Sequence, residues 1–293
     1  MDGLLIVDKP QGMTSADVVR VVKRRLHCKT GHLGTLDPFA SGVLPLCLGE
    51  GTKVAQFLNT ADKAYTGTIR LGRGTDTGDL TGTVTEMAPL PEVSAGQLEQ
   101  VAAQFLGERL QTPPMYSAIK RGGMPLYKLA RQGIEVERAP RRVRIDRLEL
   151  CLQAAGAIGF SVACSKGTYI RVLAQEVAGM LQSVGHLEVL RRTRFGSFSI
   201  EEATTLEAWE HGAGTILGVR ESLRDLREIQ LDALAAARVH RGDTLLLTAL
   251  PPGQPNEIAK LLGPGGDVVA VVAMAPRSWR FARVFGEPRP ATL

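Results

Sequence analysis

Residues 31–53 read GHLGTLDPFASGVLPLCLGEGTK. A glycine-bounded loop at 31–42 runs straight into the apolar stretch VLPLCLG at 43–49, so a turn-forming segment feeds a buried strand. Asp37 is the only acid between Lys29 and Gly49, and Pro38 behind it steers its backbone toward extended conformations. An Asp-Pro pair taken alone is most often a turn former. A lone carboxylate on a stiff loop at the mouth of a strand is also where chemistry concentrates.

Upstream, 3–7 reads as a short buried strand, ended by the turn KPQG at 9–12. A helix follows, capped by Thr14 or Ser15. Its apolar face carries Val18, Val19, Val22 and Leu26, and Arg20, Lys23 and Arg24 make its outer surface basic. Downstream, 51–59 has helical texture, 65–71 alternates like a strand, and GRGTDTGDLTG at 72–82 is turn-forming. Ser94 opens a helix carrying Leu98, Val101, Ala102 and Phe105. The texture then changes at 113–137, where prolines, glycines, Tyr116, Tyr127 and several basic residues surround one short helix, the composition of a protruding insertion. A strand pair is expected at 143–151 and 158–164, then a helix with Ile170, Leu173, Val177 and Leu181 on one face, and strand character again over HLEVLRRTRFGSFSI at 186–200.

At 293 residues the chain exceeds the size at which one hydrophobic core usually stops growing, and a boundary is expected between 217 and 229. Beyond it short apolar runs alternate with GD, PPG and GPGG turns, as in a small β-rich domain. The expectation is an α+β protein with a mainly antiparallel sheet, in two domains, 1–225 and 226–293.

Composition narrows the chemistry. Thirty-five Lys and Arg against 30 Asp and Glu give a net charge of +5, which favours an anionic partner. Gly72, Gly74 and Gly78 have the wrong spacing for a dinucleotide fingerprint, and there is no phosphate-binding G-x-x-x-x-G-K-[ST]. Asp76-Thr77-Gly78 resembles an aspartic-protease triplet, but a second one is missing. The histidines His27, His32, His186, His211 and His240 lack close metal-ligand spacing, and Cys28, Cys47, Cys151 and Cys164 form no C-x-x-C pair. Neither a metal, a nucleotide cofactor nor a disulfide framework is implied. The apolar run before Asp8 is too short for a signal peptide, and no stretch approaches the ~20 apolar residues of a membrane helix. A cytoplasmic protein without membrane contact is expected.

The loop and its surroundings resemble the TruB family, the tRNA pseudouridine 55 synthases. The resemblance runs through GHLGTLDPFASGVLPLCLGEGTK, DKPQGMTS at 8–15, KAYTGTIRLGRGTDTGD at 63–79, PPMYSAIK at 113–120, CSKGTYIR at 164–171 and LRRTRFGSF at 190–198, most of residues 1–200. It implies a pseudouridine synthase fold in which Asp37 is the catalytic aspartate, Tyr65 the base-stacking tyrosine and Arg171 the arginine that pairs with the aspartate. His32, Tyr169 and Leu190 fall on substrate-contacting positions, and Lys9 is placed with them. The region from about residue 226 resembles, more weakly, the small β domain called PUA.

The implied reaction detaches uracil from ribose, turns it, and rejoins the same sugar carbon through a ring carbon. Nothing is oxidised or hydrolysed, which accords with the lack of cofactor signatures. Glycosidases use two carboxylates because one must handle water or a leaving group; here the base leaves and returns, so one acid suffices. Attack by Asp37 on sugar or base, and removal of a sugar proton, all remain open. Arg171 is expected to lower the pKa of Asp37. A base in a folded T loop must be flipped out at a cost of a few kcal/mol, against which stacking on Tyr65 contributes about 1–3 kcal/mol. The partner is then the T arm of tRNA. Phosphate contacts are expected from Arg20, Lys23, Arg24, Lys120, Arg121, Lys128, Arg131, Arg141, Arg142 and Arg144, with 113–137 gripping the RNA. A monomer is expected. An additional role as a tRNA chaperone, and a small-molecule glycosyl transferase as the rival activity, complete the readings.

Overall fold

The run GLLIVDK supplies β1 (Gly3–Lys9), and SGVLPLCL supplies β2 (Ser41–Leu48), every residue of which after Ser41 is buried. So continuous an apolar run suits a strand covered on both faces. Between them lies helix α1 (Ser15–Leu26). Thr14 closes a capping box with Asp17, an arrangement that contributes about 1 kcal/mol, and Lys23, Arg24 and Arg25 complement the helix dipole at the other end. In the computed structural model the described residues are 2–286.

The principal sheet continues with β3 (Lys63–Leu71), β4 (Gly107–Gln111), β5 (Arg141–Ala154), β6 (Ala157–Cys164) and β7 (Gly185–Phe195). Its order is β1-β2-β7-β3-β6-β5-β4, with Thr204–Thr205 outside β1. All neighbours along β1 to β4 are antiparallel except β2 and β7, which run parallel, and Thr204–Thr205 also lies parallel to β1. The sheet is mixed and mainly antiparallel, as expected. Helices α2 (Ala95–Ala103) and α3 (Ile170–Met180) bury Leu98, Val101, Leu173 and Val177 in the same cluster as Leu44, Ile69, Ile158 and Leu187. Amphipathic faces at 3.6-residue spacing thus meet the sheet where the pattern placed them.

A second sheet, β8 (Arg227–Gln230), β9 (Ile258–Leu262), β10 (Val268–Met274) and β11 (Trp279–Val284), forms a C-terminal β domain. Leu262, Val268, Val271 and Phe285 join Leu4, Ile6, Leu33, Val43, Phe195 and Phe198 in one hydrophobic cluster, so this domain backs the main sheet. Lys260, 1 % exposed, donates to the carbonyls of Arg220 and Leu223 and pairs with Glu228 at 3.1 Å. The last residues of the expected 226–293 segment, 287–293, lie outside the described residues.

Some elements differ from the expectation. Instead of one helix over 51–59, a 3-10 turn (Gly49–Lys53) precedes a single α-turn (Ala55–Leu58). Gly51 is the reason: a Cβ there would lie 2.0 Å from the Gly3 carbonyl, so this stretch is pressed against β1. The helix opened by Ser94 ends at Ala103, and Phe105 reaches the core from the turn beyond it. Gly42, at φ +107, sits where β2 meets β7, and a Cβ would lie 2.2 Å from the Arg192 carbonyl. Gly42→Ala is expected to lower stability by about 2–4 kcal/mol, since strain and backbone overlap add; urea denaturation of the two proteins measures it.

Candidate active site

The Asp37 loop is held from below by the segment that follows β1. Gly12 N–H donates to the Pro38 carbonyl at 2.8 Å. Ser15 Oγ donates to the Leu36 carbonyl and accepts from the Leu36 N–H, at 3.2 and 3.0 Å. Lys9 is fully buried, and its Nζ donates to the carbonyls of Pro10, Met13 and Pro38 at 2.8, 2.7 and 3.3 Å. Burial, opposed by Asp37, brings its pKa down to about 8, so it stays largely charged at neutral pH. Lys9 therefore braces the loop from inside instead of standing open to a substrate. Leu36, Phe39 and Ala40 anchor the loop in the main core, and between them Asp37 keeps an open side, with 37 % of its side chain exposed.

Facing Asp37 is Arg171, in the first turn of α3, its side chain 5 % exposed. A cation at a helix N-terminus opposes the dipole, so local helix stability does not explain it; its partners do. Nε lies 2.9 Å from Asp37 Oδ2 and Nη2 3.4 Å from Oδ1. Nη2 also donates to the Tyr116 carbonyl at 2.6 Å, and Nη1 to the Thr77 carbonyl at 2.8 Å. The guanidinium joins the loop, the turn after β3 and the root of the insertion.

A second acid completes the group. Asp79 is 4 % exposed; its Oδ1 accepts from Thr77 Oγ1, Thr81 N–H and Thr81 Oγ1, and its Oδ2 lies 3.8 Å from Arg171 Nη1. Sequence reasoning passed over Asp79 because it sits in a glycine- and threonine-rich turn, where an acid is ordinary; the threonines on both sides, in T-G-D-L-T, were the available signal.

Withdrawal of Asp37 from water pushes its pKa up, Arg171 pulls it down, and Asp79 pushes it up again. The net direction is upward. Arg171 has the expected sign of effect, yet it does not bring Asp37 below an ordinary aspartate, because one guanidinium is shared between two acids in a partly dry site.

Tyr65, on β3, is 7 % exposed; burial pushes its phenol pKa up, and the Asp37 carboxylate adds to that in the same direction. His32 has a buried Nδ1 with no partner among the described residues, and burial lowers its pKa, keeping it neutral at pH 7. Tyr169 caps α3; its N–H donates to Gln111 Oε1 at 2.7 Å, and its phenol pKa is raised by burial. Leu190, 4 % exposed, lies in the main core cluster. The structure thus gathers Asp37, Arg171 and Tyr65, with Lys9 beneath them.

The basic residues fall in three groups. Arg20, Lys23 and Arg24 are exposed on α1, and Arg20 pairs with Asp17. Lys120, Arg121, Lys128 and Arg131 are exposed on the 113–137 insertion, a two-strand turn (Lys120–Arg121, Met124–Pro125) followed by a short helix (Leu126–Ala130). At its base Tyr116 Oη donates to Asp76 Oδ2 at 3.3 Å. Arg141, Arg142 and Arg144 are exposed at the start of β5; Arg142 lies 3.6 Å from Glu108, and Arg144 pairs with Asp62 and Asp146.

The family model for the N-terminal domain of TruB family pseudouridylate synthases matches residues 20–170. The chain belongs to the TruB family. A TruB-family relative from Aromatoleum aromaticum, named tRNA pseudouridine synthase B, is 45 % identical over 271 residues, covering 90 % of this chain and 86 % of its own. One of the same name from Geotalea uraniireducens is 41 % identical over 298 residues, covering 97 % and 95 %. Among solved structures, a Cbf5-Nop10-Gar1 complex superimposes with a TM-score of 0.72 at 26 % identity, over 97 % of this chain and 84 % of the other. The fold is therefore that of pseudouridine synthases, with a C-terminal β domain added.

Arg171→Lys keeps a charge but loses the paired contact to Asp37 and at least one carbonyl contact. At about 1.5–3 kcal/mol for each charge-assisted bond, single-turnover rates on RNA are expected to fall by about 100-fold or more. Because the pKa of Asp37 is raised, its carboxylate is lost as pH falls through a value above the usual ~4 for aspartate. The acid limb of kcat/KM should accordingly begin at higher pH than for a solvent-exposed aspartate.

Proposed function

We propose that this chain is a tRNA pseudouridine synthase that converts uridine 55, in the T loop, to pseudouridine, with Asp37 as the essential carboxylate. The observation that carries the reading is the held-yet-open Asp37: its loop is bound from beneath, Arg171 grips one side, and the remaining side is open to solvent. A carboxylate fixed in direction, partly dry and charge-balanced is pre-organised for nucleophilic or acid-base work on a sugar or base. Arg171 holds the acid in place while the base leaves and returns, and needs no second carboxylate for water. Asp79 supports Arg171 and is itself shielded by Thr77 and Thr81, so the two acids have different work.

The base reaches Asp37 only when flipped out of the T loop, and Tyr65 supplies the aromatic surface against which it rests. His32, Tyr169 and Leu190 complete the substrate contacts. Exposed cations on α1, on the insertion and at the start of β5 would follow the phosphate backbone of the T arm, with 113–137 gripping the loop. Residues 226–293 are read as a PUA-like domain after a catalytic domain at 1–225; its shared cluster with the main sheet supports a bracing role. The enzyme is read as a cytoplasmic monomer. Among the described residues no helix is long and apolar enough to cross a membrane.

Purified protein with an unmodified tRNA transcript, and nothing else, is expected to form pseudouridine at position 55 only; product formation elsewhere would overturn the assignment. Asp37→Asn should bind the transcript normally and form no product, and an active Asp37→Asn would remove Asp37 from its role. Tyr65→Ala should weaken both capture and turnover, by about 5- to 100-fold if stacking contributes the usual 1–3 kcal/mol. Affinity should drop steeply with salt, whereas a glycosyl transferase acting on a small neutral substrate would be nearly indifferent.

A further inference from the structure

Arg192 carries a charge that the chemistry above does not use. It lies on β7 directly opposite Tyr65 of β3, and on its other side opposite Gly42 of β2. Residues directly opposite on antiparallel strands project from the same face. Its exposure is 0 %, and it is among the largest fully buried side chains. No ion pair among the described residues includes it. Nε donates to the Val43 carbonyl at 2.7 Å, and Nη2 is buried with no partner among the described residues.

A buried, unpaired guanidinium is costly, and its surroundings show what it could serve. Nη1 would lie 3.3 Å from a Cβ at Gly34, in the loop that carries Asp37, and Gly34 is at φ +58, where a side chain would be strained. The guanidinium carbon is 5.4 Å from the centre of the Phe195 ring. The titratable groups that act on Arg192 or share its field are Lys9, His32, Lys63 and Tyr65, and those around the Tyr65 phenol are Arg192, Cys164 and Asp37. Arg192 thus reaches the loop under Asp37 while standing opposite Tyr65; Lys63, at the start of β3, borders the same Gly34 position but pairs with Cys164 and Phe195 and not with Tyr65's partners.

We propose that Arg192 is a positioning residue for the reaction: its guanidinium fixes the Tyr65 ring and hydroxyl at the floor of the site and ties that tyrosine to the Asp37 loop. The inference rests on the proposed function, since it assigns work to the same site. The ring that carries the flipped base must hold its height and tilt relative to Asp37, and a misplacement near 1 Å can cost about 100-fold in rate. Strand pairing on both sides, with Val162 of β6 and Arg192 of β7, fixes the Tyr65 backbone but not its ring, so a side chain on the same face must supply the further constraint. Arg192 bonds the Val43 carbonyl, borders Gly34 and stands opposite Tyr65 on one face of the sheet, a spread that a planar, multi-donor cation covers and a lysine does not.

The test is a double-mutant cycle on kcat and KM with Arg192→Met, Tyr65→Phe and the double variant, all assayed on tRNA transcript. Arg192→Met removes a buried unpaired charge at similar volume. Alone, it is expected to lower kcat about 10- to 100-fold with KM changed less than about threefold. In the Tyr65→Phe background it should cost about twofold or less. Ultraviolet titration of the phenols, with the Tyr65 signal taken by difference from Tyr65→Phe, should move to higher pH in Arg192→Met because the cation favouring the phenolate has gone. Equal kcat losses in both backgrounds, or an unmoved Tyr65 titration, would overturn the proposal. Should Arg192→Met not fold, Arg192→Gln, which likewise removes the charge, is read by the same two criteria. Wild-type protein inactive on the transcript would sink the proposed function itself, while an active wild type with an additive cycle sinks only the role of Arg192.

Discussion

The site depends on how one guanidinium distributes its donors. Arg171 touches Asp37, approaches Asp79, and binds the carbonyls of Thr77 and Tyr116, so three segments far apart in the chain converge on one planar group. A guanidinium suits this task because its donors fan out in a fixed plane and it remains charged when dry. The helix that carries it gains nothing locally from a cation in its first turn. Stability of α3 and service to the site pull in opposite directions there, and the surrounding acids and carbonyls resolve the conflict.

Rigidity beneath Asp37 comes from groups that do not meet the substrate. The fully buried Lys9 ammonium, the Ser15 hydroxyl and the Gly12 amide together bond the loop and the turn after β1 into one unit. This explains why DKPQGMTS at 8–15 accompanies the GHLGTLDPFASG loop: each supplies the hydrogen-bond partners that the other leaves open. Leu33, from the same loop, enters the cluster shared with the C-terminal sheet, so that domain contributes to the loop's backing as well as to the fold. Substitutions in β9 or β10 can therefore reach the site through packing alone.

The electrostatics follow the same division. Asp37 is drawn up by drying and down by Arg171, Lys9 is drawn down to about 8 by burial, and His32 is kept neutral. A positive interior around a single open carboxylate suits a polyanionic substrate, which brings its own negative charge to the cleft. The exposed cations of α1 and the insertion extend that field over the surface.

Periodicity and turn chemistry made much of the architecture legible in the sequence alone. The continuous apolar runs became buried strands, the spacing of Val18, Val22 and Leu173, Val177 placed two helix faces on the sheet, and the change of texture after residue 217 announced a second β sheet. Asp37 stood out because nothing else acidic surrounds it, and family resemblance paired it with Arg171. What the chain could not disclose was decided in three dimensions: that Lys9 turns inward, that Asp79 approaches the same guanidinium, that Arg192 lies against Tyr65, and that 51–59 breaks into two short turns against Gly3. Each depends on contacts between residues dozens of positions apart, where the direction of a side chain follows from strand register and packing and leaves no periodic trace in the sequence.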